Sequence, residues 1–159
     1  MLIRPANDND VPHMAAIRAR EWQTEQFWSQ RIGGYMRGVY SPGEADPPRA
    51  IFVAIEEDTI AGFVAGHASH RFACQGELQW VDVVWEYRRR GIARALACQM
   101  GAWFVERKIA RVCVNVATEN EPARRLYASL GAQSFNAYWM LWPDVAVMAA
   151  GNSSATRAL

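Results

Sequence analysis

The sequence predicts an α/β protein of the α+β type: a mixed, mostly antiparallel central sheet with helices on both faces. Three observations carry that expectation. Two strand-like apolar runs, residues 51–55 and 60–67, flank the polar turn Glu56-Glu57-Asp58, which suits an antiparallel hairpin. Runs at 78–84 and 111–116 are separated by a helical stretch, and a further helix precedes a last strand. The order is therefore strand, helices, three strands, helix, strand, helix, strand. An antiparallel meander feeding a strand–helix–strand–helix half requires a mixed sheet.

Each element has its own signal. Residues 2–4 form a short first strand. Asp8 or Asp10 is placed to cap a helix over 11–22, with Met14, Ala16 and Ile17 as its apolar stripe. A second helical stretch over 25–39 carries Phe27, Trp28, Ile32 and Tyr35, and Gly33 and Gly34 weaken or split it. Residues 41–49, with three prolines and a glycine, read as a loop. A loop around 74–76 leads into the strand 78–84. The helix over 90–107 shows Ile92, Leu96, Met100 and Trp103 at helical spacing. After the strand 111–116, the next helix is strongly punctuated: Asn120 as N-cap, Pro122 in the first turn, Gly131 just past Leu130. One last strand covers 134–142. A single domain over 1–148 and a small, polar, disordered tail over 149–159 complete the expected organisation.

Composition excludes several classes. At 159 residues the chain can bury one substantial core, and 51% hydrophobic with 21% charged residues is ordinary for a globular protein. A net charge of +1 argues against a nucleic-acid partner. The N-terminus lacks a basic region followed by an apolar run, so no signal peptide is expected. No stretch approaches the ~18 apolar residues of a membrane span, so no membrane partner is expected either. Cys74, Cys98 and Cys113 are odd in number and widely spaced, which fits neither a disulfide framework nor a CxxC pair. Cys98 and Cys113 lie in apolar contexts and read as core. The cytoplasm is the expected compartment. His13, His67 and His70 show no ligand spacing with each other or with a cysteine, so no metal site is expected.

The chemistry concentrates in residues 80–96, Trp-Val-Asp-Val-Val-Trp-Glu-Tyr-Arg-Arg-Arg-Gly-Ile-Ala-Arg-Ala-Leu. A strand ends, a turn follows, and a basic, glycine-containing stretch opens a helix. Free backbone N–H groups and the helix dipole make such an N-terminus an anion site, and Gly91 removes the side chain that would block a phosphate. The stretch is neither a Walker A loop nor the three-glycine dinucleotide fingerprint. Taken alone, three arginines and a glycine could equally be a solvated helix start.

Arg88-Arg89-Arg90-Gly91-Ile92-Ala93 nevertheless resembles the Arg/Gln-x-x-Gly-x-Gly/Ala signature of the GCN5-related N-acetyltransferases. The preceding 81–87 is similar to that family's strand and turn, with Trp85 where proline is commoner. Residues 120–131, from Asn120 through Ala123 and Tyr127 to Gly131, resemble its Asn-x-x-Ala-x-x-x-Tyr-x-x-x-Gly helix. The element order agrees over about residues 1–142. Ala93 for glycine, Ala132 for phenylalanine and Asn115 for glutamate are departures, the last from the ribosomal-protein N-terminal acetyltransferases in particular.

The resemblance implies an acetyl-CoA-dependent N-acetyltransferase in which a primary amine attacks the thioester directly. It implies a V-shaped splay between the fourth and fifth strands for the pantetheine arm, with the backbone of Val81, Asp82 and Val83 pairing to it. The amides of Arg89, Arg90, Gly91, Ile92, Ala93 and Arg94, behind Arg88, would cradle the pyrophosphate. A backbone N–H near Val83 would polarise the thioester carbonyl. Asn120 either only caps its helix or also meets the cofactor. Tyr127 takes the position that protonates the leaving thiolate, a role open to a phenol of pKa ~10, although a helix-face tyrosine can simply pack on the sheet.

The amine must first lose a proton. At pH 7 this costs about 4.6 kcal/mol for a lysine-like amine of pKa ~10.4 and about 1.4 for an α-amine near 8. Glu77 and Asp82 are the candidate general bases. Five residues apart, they are expected on opposite faces of a regular strand, and either could be an ordinary surface acid. Trp22, Phe27, Trp28 and Tyr35 are either core or an acceptor pocket helped by Glu21 or Glu25. Trp139, Trp142 and Val145 are a candidate homodimer patch. A small-molecule amine is the leading acceptor, a protein N-terminus or lysine the second. A non-catalytic acyl-CoA-binding or sensing module is the alternative from another class.

Overall fold

A computed structural model describes residues 1–151. Seven strands and five helices follow one another as β1 (Leu2–Pro5), α1 (Val11–Ala19), α2 (Glu25–Met36), β2 (Ala45–Glu56), β3 (Thr59–Ser69), β4 (Gly76–Val83), α3 (Ile92–Glu106), β5 (Val112–Asn115), α4 (Glu121–Ser129), β6 (Gln133–Asn136), β7 (Trp139–Trp142) and α5 (Ala146–Ala149). The strands form one sheet in the order β1-β2-β3-β4-β5-β7-β6. Every neighbouring pair is antiparallel except β4 and β5. The mixed sheet follows from the connections: two-residue turns join the antiparallel pairs β2–β3 and β6–β7, whereas α3 carries the chain across from β4 to its parallel partner β5.

Helices cover both faces. On one, Met14, Ile17, Trp28, Ile32 and Tyr35 of α1 and α2 pack on Val53, Phe63, Ala65 and Trp80. On the other, Leu96, Met100 and Phe104 of α3, Leu130 after α4 and Met148 of α5 enclose Val64, Leu78, Val112, Val114 and Trp142. The four α3 positions at helical spacing, Ile92, Leu96, Met100 and Trp103, are all buried. In α1 the buried set includes Ala15 and Val11 rather than Ala16.

Several boundaries differ from the sequence expectation. The loop expected over 41–49 is partly strand, because β2 begins at Ala45. Its ladder runs Asp46↔Ala68 and then Arg49↔His67, so Pro47 and Pro48 fall in a bulge where no N–H is demanded. The single strand expected over 134–142 is a hairpin, β6 and β7. Asn136 Oδ1 accepts from the Tyr138 N–H at 3.0 Å and turns the chain. Neither Asp8 nor Asp10 caps α1 through its side chain. Asp10 stands at the N-cap position but turns back to the Asn7 N–H (2.8 Å) and the Arg4 guanidinium (2.7 Å). Gly33 and Gly34 leave α2 unbroken, both buried against the chain that follows. The tail expected over 149–159 falls mainly outside the described residues, though Ala149 closes α5 and Gly151 is buried.

Two features position the site. The β4–β5 ladder pairs only Gly76–Leu78 with Val112–Val114, yet β4 continues to Val83, so the two strands part into the expected V between the fourth and fifth strands. On its other edge β4 pairs Trp80 with Ala65 but Leu78 with Gly66, which leaves Gln79 as an extra, bulged residue. That bulge flips the alternation for everything after it.

Candidate active site

The mouth of the V meets the N-terminus of α3. Gly91 is the N-cap residue there, at φ +78°, with no side-chain cap and no acid in the first turn. A Cβ built on Gly91 would meet nothing within 4 Å, so open space faces this backbone. The first intrahelical bond runs from the Ala95 N–H to the Gly91 carbonyl at 3.0 Å. The preceding amides, those of Ile92, Ala93 and Arg94, therefore have no helical acceptor and present a positive end to any anion. An uncapped, acid-free helix start next to a free strand edge fits a chain-like ligand ending in phosphates, and acetyl-CoA is one.

The loop arginines divide. Arg88 turns inward: its Nε donates to the Val83 carbonyl at 3.1 Å and its Nη2 to Glu21 at 3.3 Å. Arg90 lies over the Tyr87 ring, 4.9 Å from its centroid. Arg94 donates to Ser129 Oγ at 3.0 Å, tying α3 to the end of α4. Arg89 is exposed and sits at φ +65°, a left-handed conformation that costs a side-chain-bearing residue energy. The three-arginine run thus supplies a loop staple, a ring contact and a strained exposed cation. Asn120 Oδ1 accepts from the Ala123 N–H at 3.2 Å and caps α4.

Tyr127 is 6% exposed and stacks edge-on to Trp142, with ring centroids 5.6 Å apart. Burial pushes its phenol well above the ordinary value, and the charge of Asp82 raises it further. A phenol is protonated at neutral pH even without that shift. Asp82 lies 3.1 Å from Arg18 Nη1 of α1. Burial pushes its carboxyl up, while the Arg18 guanidinium pulls it back. Glu77 is 4% exposed and held by Arg71 Nε at 3.2 Å and Ser69 Oγ at 3.3 Å, with His67 Nε2 at 3.6 Å.

Glu77 and Asp82 do not lie on opposite faces, as regular alternation would have them. The bulge at Gln79 puts both on the face covered by α1 and α2, Glu77 beside the His67–Tyr35 hydrogen bond (2.9 Å) and Asp82 beside Arg18. Asp82 lines a pocket. That cavity, about 200 Å3, lies between the end of α1 and the end of β4 and is lined by Ile17, Arg20, Glu21, Asp82, Val83, Val84, Trp85 and Arg88. Arg20 has no signal in the sequence, and Ile17 and Trp85 read there only as a helix-stripe residue and a turn residue, because nothing local announces that the end of α1 folds over this loop.

The aromatic set splits. Trp28 and Tyr35 are core, whereas Trp22 is 61% exposed beside Phe27, and Glu21 rather than Glu25 reaches the pocket. Trp142 and Val145 are fully buried and only Trp139 of the expected homodimer patch is partly exposed, so the three do not form a surface patch. Trp142 Nε1 donates to the Leu130 carbonyl at 3.1 Å. Cys74, Cys98 and Cys113 are all buried. His70 is exposed between Asp46 (2.8 Å) and Glu44 (2.6 Å). Among the described residues no helix is long and apolar enough to cross a membrane.

No curated protein sequence matches the chain. Solved structures share its fold at low identity. An aminoglycoside 6'-N-acetyltransferase from Acinetobacter haemolyticus superposes with a TM-score of 0.72 at 17% identity, covering 86% of this chain and 93% of that one. A ribosomal-protein-alanine N-acetyltransferase from Brucella melitensis gives 0.65 at 20%, covering 89% and 96%. Arabidopsis thaliana NAA60 in complex with acetyl-CoA gives 0.67 at 16%, covering 89% and 97%. The profile of the Acetyltransferase (GNAT) family matches residues 12–132, well over half of the sequence, and the chain belongs to that family.

Proposed function

We propose that the protein transfers an acetyl group from acetyl-CoA to the primary amine of a small molecule. The observation that carries this is the parting of β4 from β5 beside the uncapped start of α3, with a small pocket opening at the same end of β4. Acetyl-CoA supplies an activated acyl thioester. The free edge of Val81, Asp82 and Val83 offers strand-like pairing to an extended arm. The first-turn amides from Gly91 to Arg94 hold phosphate oxygens, and Arg88 keeps that loop against Val83.

The proton work divides between two side chains. Asp82, a carboxylate in the pocket with a raised pKa, takes a proton from the incoming ammonium. Tyr127, whose phenol is protonated at neutral pH, donates to the departing sulfur. Glu77 is committed to Arg71 and Ser69 and serves to organise the floor beneath them.

Thiol release from acetyl-CoA, measured against polyamines, aminoglycosides, amino acids and short peptides, tests the reading. Turnover is expected with one small-molecule class. Tyr127→Phe should lower kcat by roughly 100-fold, the lower end of the range for a general acid, with the calorimetric Kd for acetyl-CoA little changed. Full activity in that variant would remove Tyr127 from the reaction. Turnover with peptides alone would make the acceptor a protein.

A further inference from the structure

The pocket beside Asp82 carries a charge pattern that the acetyl donor leaves unused. Its wall holds two guanidiniums, Arg20 and Arg88, and two carboxylates, Glu21 and Asp82. The groups immediately behind keep the balance: Arg18 backs Asp82, and Glu86 backs Arg20 at 2.9 Å. A polycationic acceptor would meet three arginines here, so net charge gives it no advantage. A cavity of about 200 Å3 is also smaller than the ~300–1,000 Å3 of sites for drug-sized ligands.

Depth orders the charges. The Asp82 side chain is 15% exposed and sits at the floor, at the end of β4. Arg20 is 55% exposed and its partner Glu86 is as open, and the Arg88–Glu21 pair is also at the rim. Rim ion pairs of this kind contribute little, so an incoming carboxylate can take the place of Glu86 or Glu21 on its guanidinium at small cost. A negative floor and exchangeable positive groups at the mouth match a ligand with an ammonium at one end and a carboxylate close by. Ile17 and Trp85 leave an apolar wall for whatever side chain such a ligand carries.

The amine chemistry agrees. Asp82 is the acid at the floor, and the α-ammonium of a free amino acid, although less acidic than a peptide N-terminus because its own carboxylate lies beside it, is still easier for a carboxylate to deprotonate than a lysine-like one near 10.4. We propose that the acceptor is a free α-amino acid, with its ammonium on Asp82 and its carboxylate on the rim guanidiniums of Arg20 and Arg88. This deepens the acetyltransferase reading above and rests on it. In the transfer the amine nitrogen bonds to the acetyl carbon as the carbon–sulfur bond breaks. Two protons leave the ammonium nitrogen in all. One replaces the proton that the sulfur takes up, and the other is released to solvent, so each turnover yields an N-acetyl amino acid, coenzyme A thiol and one free proton.

Matched triplets test it: phenylalanine, phenylalaninamide and phenethylamine, then leucine, leucinamide and isoamylamine, each assayed by thiol release with the full chain. The free acids should exceed the amides and amines by at least tenfold in kcat/KM. Arg20→Gln should reduce that preference by roughly tenfold, and calorimetric titration of the free amino acid should show the same weakening. Amides, amines, peptides or polyamines turned over as well as the acids would overturn the proposal and leave acetyl transfer standing. Absence of turnover with every acceptor would also overturn it. If acetyl-CoA then failed to bind calorimetrically, the acetyltransferase reading would fall with it.

Discussion

Gly91, at φ +78° with empty space where a Cβ would sit, shows what a single residue contributes to this site. Alanine there meets no crowding, so its cost is the left-handed backbone alone, about 1–2 kcal/mol. Gly91→Ala should show that cost as a lower melting temperature, as weaker acetyl-CoA binding by calorimetry, or divided between them. A variant unchanged in both would mean that the backbone conformation of this turn is unimportant. His70 is a second single-residue test. Its hydrogen bond to Asp46 raises its pKa above the ordinary 6.5, with Asp46 and Glu44 charges assisting. A raised folded pKa means that the pair's stabilisation is complete below about pH 6.5 and is lost as pH rises through the folded value. Imidazole NMR titration should give a midpoint above 6.5, returning towards it in Asp46→Asn.

Two backbone devices work at the scale of the element. The hairpin joining β2 to β3 turns through Glu57 and Asp58 at φ +50° and +62°, two left-handed residues in succession as a type I′ turn demands. Glu57 does not favour that region, and Asp58 tolerates it less well than glycine. Replacing the pair by Asn-Gly should stabilise the protein by about 1 kcal/mol, read from chemical denaturation, because the preferred residues remove the strain. No gain would show that the turn is not strained as its φ angles imply. The bulge at Gln79 acts differently: it leaves the hairpin intact and re-aims the last four residues of β4. Without it Asp82 would face α3 instead of Arg18. The two prolines in β2 give a loop signal for a related reason, since proline excludes regular pairing and only the bulge accommodates it.

Across the whole molecule, Trp142 links the core to the site. It is fully buried, bonds the Leu130 carbonyl and supports the ring of Tyr127. Trp142→Ala should cost about 3–5 kcal/mol, lowering Tm by roughly 10 °C at this chain length. Trp142→Phe should cost less while stranding the Leu130 carbonyl, so calorimetric scans of the two separate the packing from the hydrogen bond. Equal melting temperatures in all three proteins would deny Trp142 this role.

Local chemistry determined a great deal from sequence alone: the hairpin turn, the buried face of α3, the Asn120 cap, and the uncapped glycine start that marks an anion site. These depend on residues within one or two turns of each other, where sterics and hydrogen bonding act without the rest of the chain. Only the tertiary structure decided that Glu77 and Asp82 share a face, that Trp142 and Val145 are buried and leave Trp139 alone at the surface, and that Arg20 and Glu21 close over the end of β4. Each of those depends on register or packing between different elements of the chain, and a one-residue bulge suffices to reverse a strand's faces while leaving almost no trace in composition or periodicity.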